Sequence, residues 1–474
     1  MEILHVSAEC YPMAKAGGLG DVVGSLPKYQ QELGHVAKVV LPMYRTPFLY
    51  QNSWEVVHKG HFSLGPQEYD FTIIKEKTNK LGFDLYCVDI YGLLDREKVY
   101  GYADDAVRFL AFQVAVTEWL AKWEHHPDIV HVHDNQAGLI PFMLQHCFAY
   151  RHLSHIKTML TIHNAQYQGW MDWGKGNWIP AWDTWKWGLL DWDNSFNPLA
   201  AAIKCADAVT TVSPGYMQEL MQEANGLEGL IRNESRKCSG IINGIDNKVW
   251  DPATDTLILD NYSITDTRAG KELNKSSLCR EFHLDKNLPL FIFIGRLVGE
   301  KAADLLAPSI QEAYQSFGKT FNVLILGSGE PAVEAALSAI QEELVGYYNS
   351  RIGYNEKLSH QMYAGGDFLL MPSRVEPCGL NQLYALRYGT VPIVRRTGGL
   401  KDTVTDIGDK DGYGICFDQA SVHDIVYSIG RALELYKKTT EMDRIRKTMM
   451  SIDNGWEASA KSYLDLYYFL NGKA

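Results

Sequence analysis

The chain has 474 residues, of which 46% are hydrophobic and 22% charged; this length and balance predict a soluble globular protein with two domains rather than one core. Its formal net charge of −12 argues against a general role in binding nucleic acid or an anionic membrane, because such surfaces need clustered lysine and arginine. The eight cysteines contain no C-x-x-C pair and no zinc-ligand spacing, so they predict neither a disulfide framework nor a zinc site.

The sequence also gives an expectation about membranes. No apolar stretch reaches the roughly 18 residues that a membrane-spanning helix needs. Met1 leads directly into a strand-like run, without a basic and then apolar leader. We therefore expect a cytoplasmic protein with no membrane partner.

The first elements predict a βαβ unit, with a strand at 3–8, a helix that ends near residue 33 and a second strand at 36–41. Lys15 and the glycines Gly17 and Gly18 lie between the first strand and the helix. Backbone N–H groups at such a helix start, together with a lysine ammonium, can bind an anion. On this stretch alone, a tight glycine turn beside a solvated lysine explains the residues equally well.

Two later strand-like runs, 129–134 and 158–163, each bring a histidine to a strand end. His133 precedes Asp134, and His163 precedes Asn164. A single histidine in such a place is more often a hydrogen-bonded structural residue than a catalytic one. Two of them, each beside a polar partner, favour a functional site.

A turn at 243–255 predicts the hinge, and a second alternation of strands and helices follows it. Strands are predicted at 290–294, 323–326, 368–371 and 391–394, and helices at 302–316, 332–345, 380–388 and 422–436. Such alternation predicts a mainly parallel sheet, and hence a second doubly wound domain.

The loops of this second half carry charge at the predicted strand ends. Arg296 and Lys301 lie in one loop, where a guanidinium and an ammonium can bind a diphosphate, although Lys301 alone is typical of a solvated surface. Glu376 follows the strand at 368–371, Pro377 is expected at the first position of the next helix, and Gly379 lies where N–H groups are unpaired. The strand at 391–394 adds two arginines and two glycines at 395–399. The sequence therefore predicts a sugar-phosphate site where these strand ends meet.

Several motifs occur together and in order along nearly the whole chain. They are Lys15-Ala16-Gly17-Gly18-Leu19-Gly20, His133-Asp134, Thr161-Ile162-His163-Asn164, Thr211-Val212-Ser213-Pro214, Asn243-Gly244, Gly295-Arg296-Leu297 with Lys301, Glu376-Pro377-Cys378-Gly379-Leu380 and Arg395-Arg396-Thr397-Gly398-Gly399-Leu400. With these motifs the chain resembles the bacterial glycogen synthase and starch synthase family of retaining nucleotide-sugar glucosyltransferases.

The resemblance implies an α/β fold of the GT-B type, in which two Rossmann-like doubly wound domains face each other across a deep cleft. Residues 1–245 would form the N-terminal, acceptor-side domain and residues 246–455 the nucleotide-sugar-binding domain. Residues 456–474 would form a helix that returns to the first domain.

The resemblance also implies a role for each matching residue. His163, Arg296, Lys301 and Glu376 would be catalytic, with Arg296 and Lys301 on the diphosphate and Glu376 on sugar hydroxyls. The remaining residues would bind substrate: Lys15 and the backbone of Gly18 at the distal phosphate and sugar, Tyr100, Asp134 and Asn243 around the donor glucose, Tyr354 on the base, and Cys378, Gly379 and Leu380 in the turn beside Glu376.

The implied reaction is transfer of glucose from ADP-glucose to the non-reducing end of an α-1,4-glucan, with retention of configuration and without a catalytic metal or cofactor. We can assign no carboxylate pair as acid and nucleophile, which favours front-face substitution assisted by the departing phosphate. A UDP-glucose-dependent glucan synthase and a catalytically weak glucan-binding protein remain alternatives. An NAD-dependent oxidoreductase is disfavoured because no G-x-G-x-x-G follows the first strand.

The sequence departs from the family pattern at Ala16, where threonine is usual, at Asn135, where tryptophan is usual, and over 167–194. This last segment contains seven of the twelve tryptophans. We expect most of them to seal a long loop, because large aromatic residues usually pack. The alternative is that one or two, with Trp170, Trp173 and Trp178 as candidates, remain exposed and guide a glucan.

Overall fold

The computed structural model describes residues 1–472, and its internal contacts divide the chain into two units. The first unit contains Met1–Asn243 and the chain from Trp456 onward, and the second contains Gly244–Gly455. The domain limits expected at residues 245 and 455 remain predictions. No helix among the described residues is both long and apolar enough to cross a membrane.

The first unit is built on a nine-stranded sheet, with one additional two-stranded ribbon. Its strands are β1 Glu2–Val6, β2 Val36–Pro42, β3 Trp54–Leu64, β4 Gln67–Glu76, β5 Asp84–Asp89, β6 Ile129–His133, β7 Lys157–Ile162, β8 Asp191–Trp192, β9 Ser195–Phe196, β10 Ala208–Thr211 and β11 Cys238–Gly240. Its first seven helices are α1 Gly18–Glu32, α2 Pro47–Gln51, α3 Asp105–Leu120, α4 Ile140–His146, α5 Pro198–Cys205, α6 Pro214–Leu220 and α7 Glu228–Asn233.

The strand order of this sheet is β11-β10-β7-β6-β1-β2-β5-β4-β3. All neighbours from β11 to β5 are parallel, whereas β4 and β3 form an antiparallel hairpin on β5 that the sequence analysis did not predict. The chain runs outward from β1 in one direction and from β6 in the other, so the order reverses between these neighbours. Their carboxyl ends therefore form the crevice where open α/β sheets bind ligands.

The second unit contains a six-stranded, fully parallel sheet. Its strands are β12 Leu290–Ile294, β13 Asn322–Gly327, β14 Tyr348–Ile352, β15 Phe368–Met371, β16 Val391–Arg395 and β17 Ile415–Phe417, and its helices are α8 Thr267–Glu281, α9 Leu306–Phe317, α10 Pro331–Glu343, α11 Glu356–Gly365, α12 Asn381–Arg387, α13 Gly398–Thr403, α14 Val422–Tyr436 and α15 Thr439–Ser451. The order β14-β13-β12-β15-β16-β17 corresponds to 3-2-1-4-5-6, the Rossmann order, and it reverses between β12 and β15.

The last helix, α16 Trp456–Leu470, packs within the first unit. Trp456, Tyr463 and Tyr467 are buried in a cluster that also contains Ile3 of β1 and Val22 of α1. The C-terminal segment therefore covers the sheet of the N-terminal half.

Two predicted helix starts are wrong. Pro377 lies outside α12, which begins at Asn381 after the turn that contains Gly379. The helix expected from residue 302 instead begins at Leu306, after two short 3-10 turns, because Ala302 adopts a left-handed backbone with φ of 51°. Hydrophobic periodicity does not report such a local interruption.

Candidate active site

In the first unit, Glu9 organises the loop after β1. One carboxylate oxygen, Oε2, accepts hydrogen bonds from the backbone N–H groups of Ala16 and Gly17 at 2.6 and 2.9 Å. The other, Oε1, accepts the hydroxyl of Tyr100 at 2.7 Å. Glu9 is only 3% exposed, so it connects the glycine loop to Tyr100 from within the protein. The sequence analysis did not identify Glu9, because a single acid between two apolar stretches has no motif of its own.

Only some of the groups in the predicted anion-binding loop are free to bind an anion. The Gly17 N–H, expected to be unpaired, is instead bonded to Glu9, whereas the Gly18 N–H donates to no described residue. Lys15 is half-exposed and forms an ion pair with Asp21 at 2.7 Å. A phosphate at this loop would therefore meet Gly18 and compete with Asp21 for the lysine.

Asp134 and His163 follow the neighbouring strands β6 and β7, and the structure brings them together. The backbone N–H of His163 donates to Asp134 Oδ1 at 2.7 Å. Burial raises the pKa of Asp134 to about 7, although backbone N–H groups of His163 and Asn164 oppose this shift. Burial lowers the pKa of His163 to about 3, so its imidazole is neutral at pH 7. Asp134 and Tyr100 also interact electrostatically with Glu9, so these three side chains lie near one another.

Asn243, the last residue of the first unit in the contact division, is buried. Its side-chain oxygen accepts no hydrogen bond from any residue in the described range 1–472. Such a buried acceptor needs a partner from water or a ligand. Within residues 1–472, the hydrogen bonds of the His163 and Asp134 side chains do not include Asn243.

In the second unit, Lys301 and Glu376 meet although they lie in different loops. The ammonium of Lys301 is 2.6 Å from Glu376 Oε2, and the hydroxyl of Ser373 donates to the same oxygen at 2.9 Å. Lys301 comes from the loop after β12 and Glu376 from the turn after β15. These are the two strands between which the order reverses, so this ion pair occupies the expected ligand crevice.

The arginines around this pair have different partners. Arg296 is 63% exposed, and its side chain forms an ion pair with Glu300 at 2.9 Å. Arg395 donates from Nε to the carbonyl of Ser373 at 2.8 Å. Arg395 therefore supports the turn that carries Glu376, whereas Arg296 extends into solvent where an anion can reach it.

The turn after Glu376 requires a glycine at position 379 and has backbone hydrogen-bond donors that are available to a ligand. Gly379 has a φ of 73°, and a Cβ atom there would lie 2.4 Å from Gln382 Oε1. Cys378 is buried beside it. Within the described residues, the N–H groups of Gly379, Leu380 and Asn381 donate to no protein acceptor. This arrangement places hydrogen-bond donors next to the Lys301–Glu376 pair.

Tyr354 lies in the loop after β14 and is 87% exposed. The adjacent Gly353 N–H donates to the carbonyl of Gly327 at 2.9 Å, which holds this loop at the carboxyl end of β13. The ring is therefore on the same sheet edge as Arg296, two strands away from β12.

The tryptophan-rich segment is divided between packing and exposure. Trp182 is buried, Trp173 donates its indole N–H to Asp191 at 2.7 Å, and Trp178 packs on Gly65. Trp170, in contrast, is 66% exposed. Asn135, one of the departures from the family pattern, donates to the carbonyl of Tyr167 at 3.0 Å and so anchors the start of the segment.

Replacement of Trp170 by alanine is expected to raise KM for glycogen severalfold and leave thermal stability nearly unchanged, because an exposed indole can stack on a glucose ring. Trp173→Ala is the matched control, since it leaves Asp191 without its indole donor and should lower Tm. Steady-state kinetics and thermal unfolding of both variants test the prediction. An unchanged KM for glycogen in the Trp170 variant would contradict it.

Comparisons with known proteins agree with this architecture. Residues 2–233 match the family model for the starch synthase catalytic domain, and residues 275–449 match the model for glycosyl transferases group 1. Sucrose-phosphate synthase from Thermosynechococcus elongatus has the same fold, with a TM-score of 0.64 at 17% identity over 100% of both chains. The two parallel sheets and these matches define a glycosyltransferase of the GT-B class.

Relatives with higher identity narrow this class. The chain is 50% identical over 467 residues to a glycogen synthase from Flavobacterium johnsoniae, covering 98% of each chain, and 37% identical to one from Hydrogenobaculum, again covering 98% of each. The catalytic domain of starch synthase IV from Arabidopsis thaliana, solved with ADP and acarbose, is 31% identical and superposes with a TM-score of 0.89 over 99% of both chains. The chain therefore belongs to the glycogen synthase and starch synthase family of glucosyltransferases.

Proposed function

We propose that this enzyme transfers glucose from ADP-glucose to the non-reducing end of an α-1,4-glucan with retention of configuration. The ion pair between Lys301 and Glu376 at the strand-order reversal of the second unit carries this proposal. A cation that can bind phosphate lies here beside a carboxylate that can accept sugar hydroxyls, next to unpaired backbone N–H groups, and this arrangement matches the polarity of a sugar phosphate. The ADP bound to the Arabidopsis starch synthase domain supports adenine as the base of the donor.

The chemistry follows from charge. Cleavage of the glucosyl–phosphate bond leaves negative charge on the diphosphate and positive charge on the sugar. Lys301 and the exposed Arg296 would stabilise the departing diphosphate more strongly in the transition state than in the ground state. Because the diphosphate is already a good leaving group, the reaction needs no strong general acid.

The first unit would supply the contacts to the donor sugar. Asn243 has an unsatisfied side-chain oxygen, and His163 is neutral, so both can accept hydrogen bonds from sugar hydroxyls. Without an assignable pair of carboxylates, retention is best explained by front-face attack, in which the departing phosphate helps to deprotonate the acceptor hydroxyl. We place this reaction in the cytoplasm.

ADP-glucose is expected to give a higher kcat/KM than UDP-glucose with glycogen as acceptor. Initial rates with both donors, followed by digestion of the product with an α-1,4-specific glucosidase, measure donor choice and linkage together. Equal or higher rates with UDP-glucose would contradict the donor assignment. Glycogen binding without turnover of either donor would instead identify a glucan-binding protein.

A further inference from the structure

Behind His163 lies a group of buried histidines that the proposed reaction does not use. His5 of β1 and His131 and His133 of β6 are each fully buried. His5 and His131 are register partners on adjacent parallel strands, which brings the three rings into contact. His133 then contacts His163.

Hydrogen bonds connect His163 to Gln30 of α1 through two of these rings. Gln30 Oε1 is 2.8 Å from His5 Nε2, His5 Nδ1 is 3.1 Å from His133 Nε2, and His133 Nδ1 is 3.0 Å from His163 Nε2. We call this series the histidine relay. It passes from the helix behind the sheet to the candidate active site.

Every ring in the relay is neutral at pH 7. Burial lowers the pKa of His5 to about 4 and that of His163 to about 3, and it lowers the pKa of His133 well below its ordinary value. A neutral imidazole has one N–H donor and one bare acceptor nitrogen. The direction of the first hydrogen bond therefore fixes the direction of all the others.

Gln30 sets that direction through its amide. Its oxygen accepts from His5, and its Nε2 group donates to the hydroxyl of Tyr467 at 3.4 Å. The Tyr467 hydroxyl is 2.7 Å from His131 Nδ1. A hydroxyl that accepts from the amide has its own proton left to donate to this nitrogen, and His131 is then protonated on Nε2. The amide is thus held from both sides, with the oxygen towards the relay.

The hydrogen bonds that run from Gln30 through Tyr467 and His131 form a second branch, which ends at a backbone carbonyl that can only accept. His131 Nε2 is 2.6 Å from the hydroxyl of Thr161, which is 2.7 Å from that of Thr210. Thr210 donates to the carbonyl of Leu160 at 3.2 Å. When the Gln30 oxygen faces His5, every donor in this branch has an acceptor. When the amide is reversed, Thr210 must donate to Thr161, and its hydrogen bond to the carbonyl of Leu160 is lost.

We propose that Gln30, His5 and His133 are positioning residues that hold His163 as the Nε2–H tautomer, so that Nδ1 is presented as an acceptor to a hydroxyl of the donor sugar. The role of Nδ1 rests on the proposed function. Nδ1 has no hydrogen-bond partner among residues 1–472, and His163 keeps 9% of its surface exposed. The reversed relay would make Nδ1 a donor instead.

The same rings could also be considered as metal ligands, because one nitrogen from each of His5, His131 and His133 lies within 4.8 Å of the others. All six ring nitrogens of these residues already have hydrogen-bond partners. The relay therefore accounts for the cluster without an ion.

The tautomer can be measured directly in the full-length enzyme labelled with 15N-histidine. Two-bond 1H–15N correlation spectra distinguish a protonated ring nitrogen from a bare one, and His163→Gln identifies the His163 signals. We expect a protonated Nε2 and a bare Nδ1 on His163 at pH 7. A protonated Nδ1, or a stoichiometric bound metal ion with ligand-type shifts on His5 and His133, would overturn the proposal. This readout does not depend on turnover, so it is separate from the test of donor and acceptor.

Variants test whether the relay, rather than the ring's own preference, fixes the tautomer. Gln30→Met removes the terminal acceptor and should give exchange between the two His163 tautomers, with kcat reduced on the order of tenfold and KM for glycogen unchanged. Gln30→Glu retains an acceptor for His5 and should keep the wild-type tautomer. Gln31→Met, which alters a half-buried glutamine of α1 that bonds to Ala37 instead, is the control. If the His163 signals of Gln30→Met are the same as those of the wild-type enzyme, the relay is overturned. If that variant does not fold, the His163 tautomer measured in the wild-type enzyme still tests the proposal.

Discussion

Replacement of Lys301 by alanine is expected to lower kcat by roughly a hundredfold or more, the usual effect of removing one preorganised donor from a transition state. The departing diphosphate would lose the cation paired with Glu376, while Arg296 remains in place. Steady-state kinetics with saturating ADP-glucose and glycogen measure this loss. Lys286→Ala, which removes an exposed lysine of the same unit, is the matched control and should leave kcat unchanged.

Lys301→Ala is also expected to reduce stability, because the Glu376 carboxylate is largely buried and would lose its partner. We expect a cost of about 1–3 kcal/mol, since the Ser373 hydroxyl still donates to that carboxylate. The double variant Lys301→Met with Glu376→Gln removes both charges and should recover most of the stability but none of the activity. A folded Lys301→Ala variant with wild-type kcat would show that the diphosphate is bound elsewhere.

Replacement of Glu9 by alanine is expected to lower the free energy of unfolding by about 3–5 kcal/mol. Two backbone N–H groups and the largely buried Tyr100 hydroxyl would lose their common acceptor at once. Because those N–H groups hold the glycine loop, KM for ADP-glucose should rise as well. Chemical unfolding and donor titrations measure the two effects.

Tyr100→Phe provides a graded comparison, because it removes one of the three hydrogen bonds to the Glu9 carboxylate and leaves the glycine loop attached. It should cost about 1–2 kcal/mol, with a smaller rise in KM for ADP-glucose than in Glu9→Ala. Glu55→Ala, an exposed acid on β3, is the control and should change neither quantity. Equal costs in the Glu9 and Tyr100 variants would show that the loop is held by other contacts.

Local pattern predicted most of the strands that carry the site. The strand at 290–294 and the helix at 422–436 were predicted with the bounds that the structure has, because each combines clear periodicity with a clear end. The hairpin of β3 and β4 was missed, because its strands have few buried side chains and their apolar and polar residues alternate only weakly. Pro377 was wrongly expected at the start of α12, because a proline suits both a helix start and the turn that precedes one.

The sequence by itself determined the family, the two doubly wound units and the positions of the motif residues, because periodicity, turn chemistry and motif order are properties of short stretches. Only the tertiary structure decided which of these residues are partners. Lys301 and Glu376 are 75 positions apart, and His5 and His133 are 128 apart. Such pairs meet because β12 lies next to β15 and β1 next to β6, and strand order depends on how whole units pack, which no local pattern specifies.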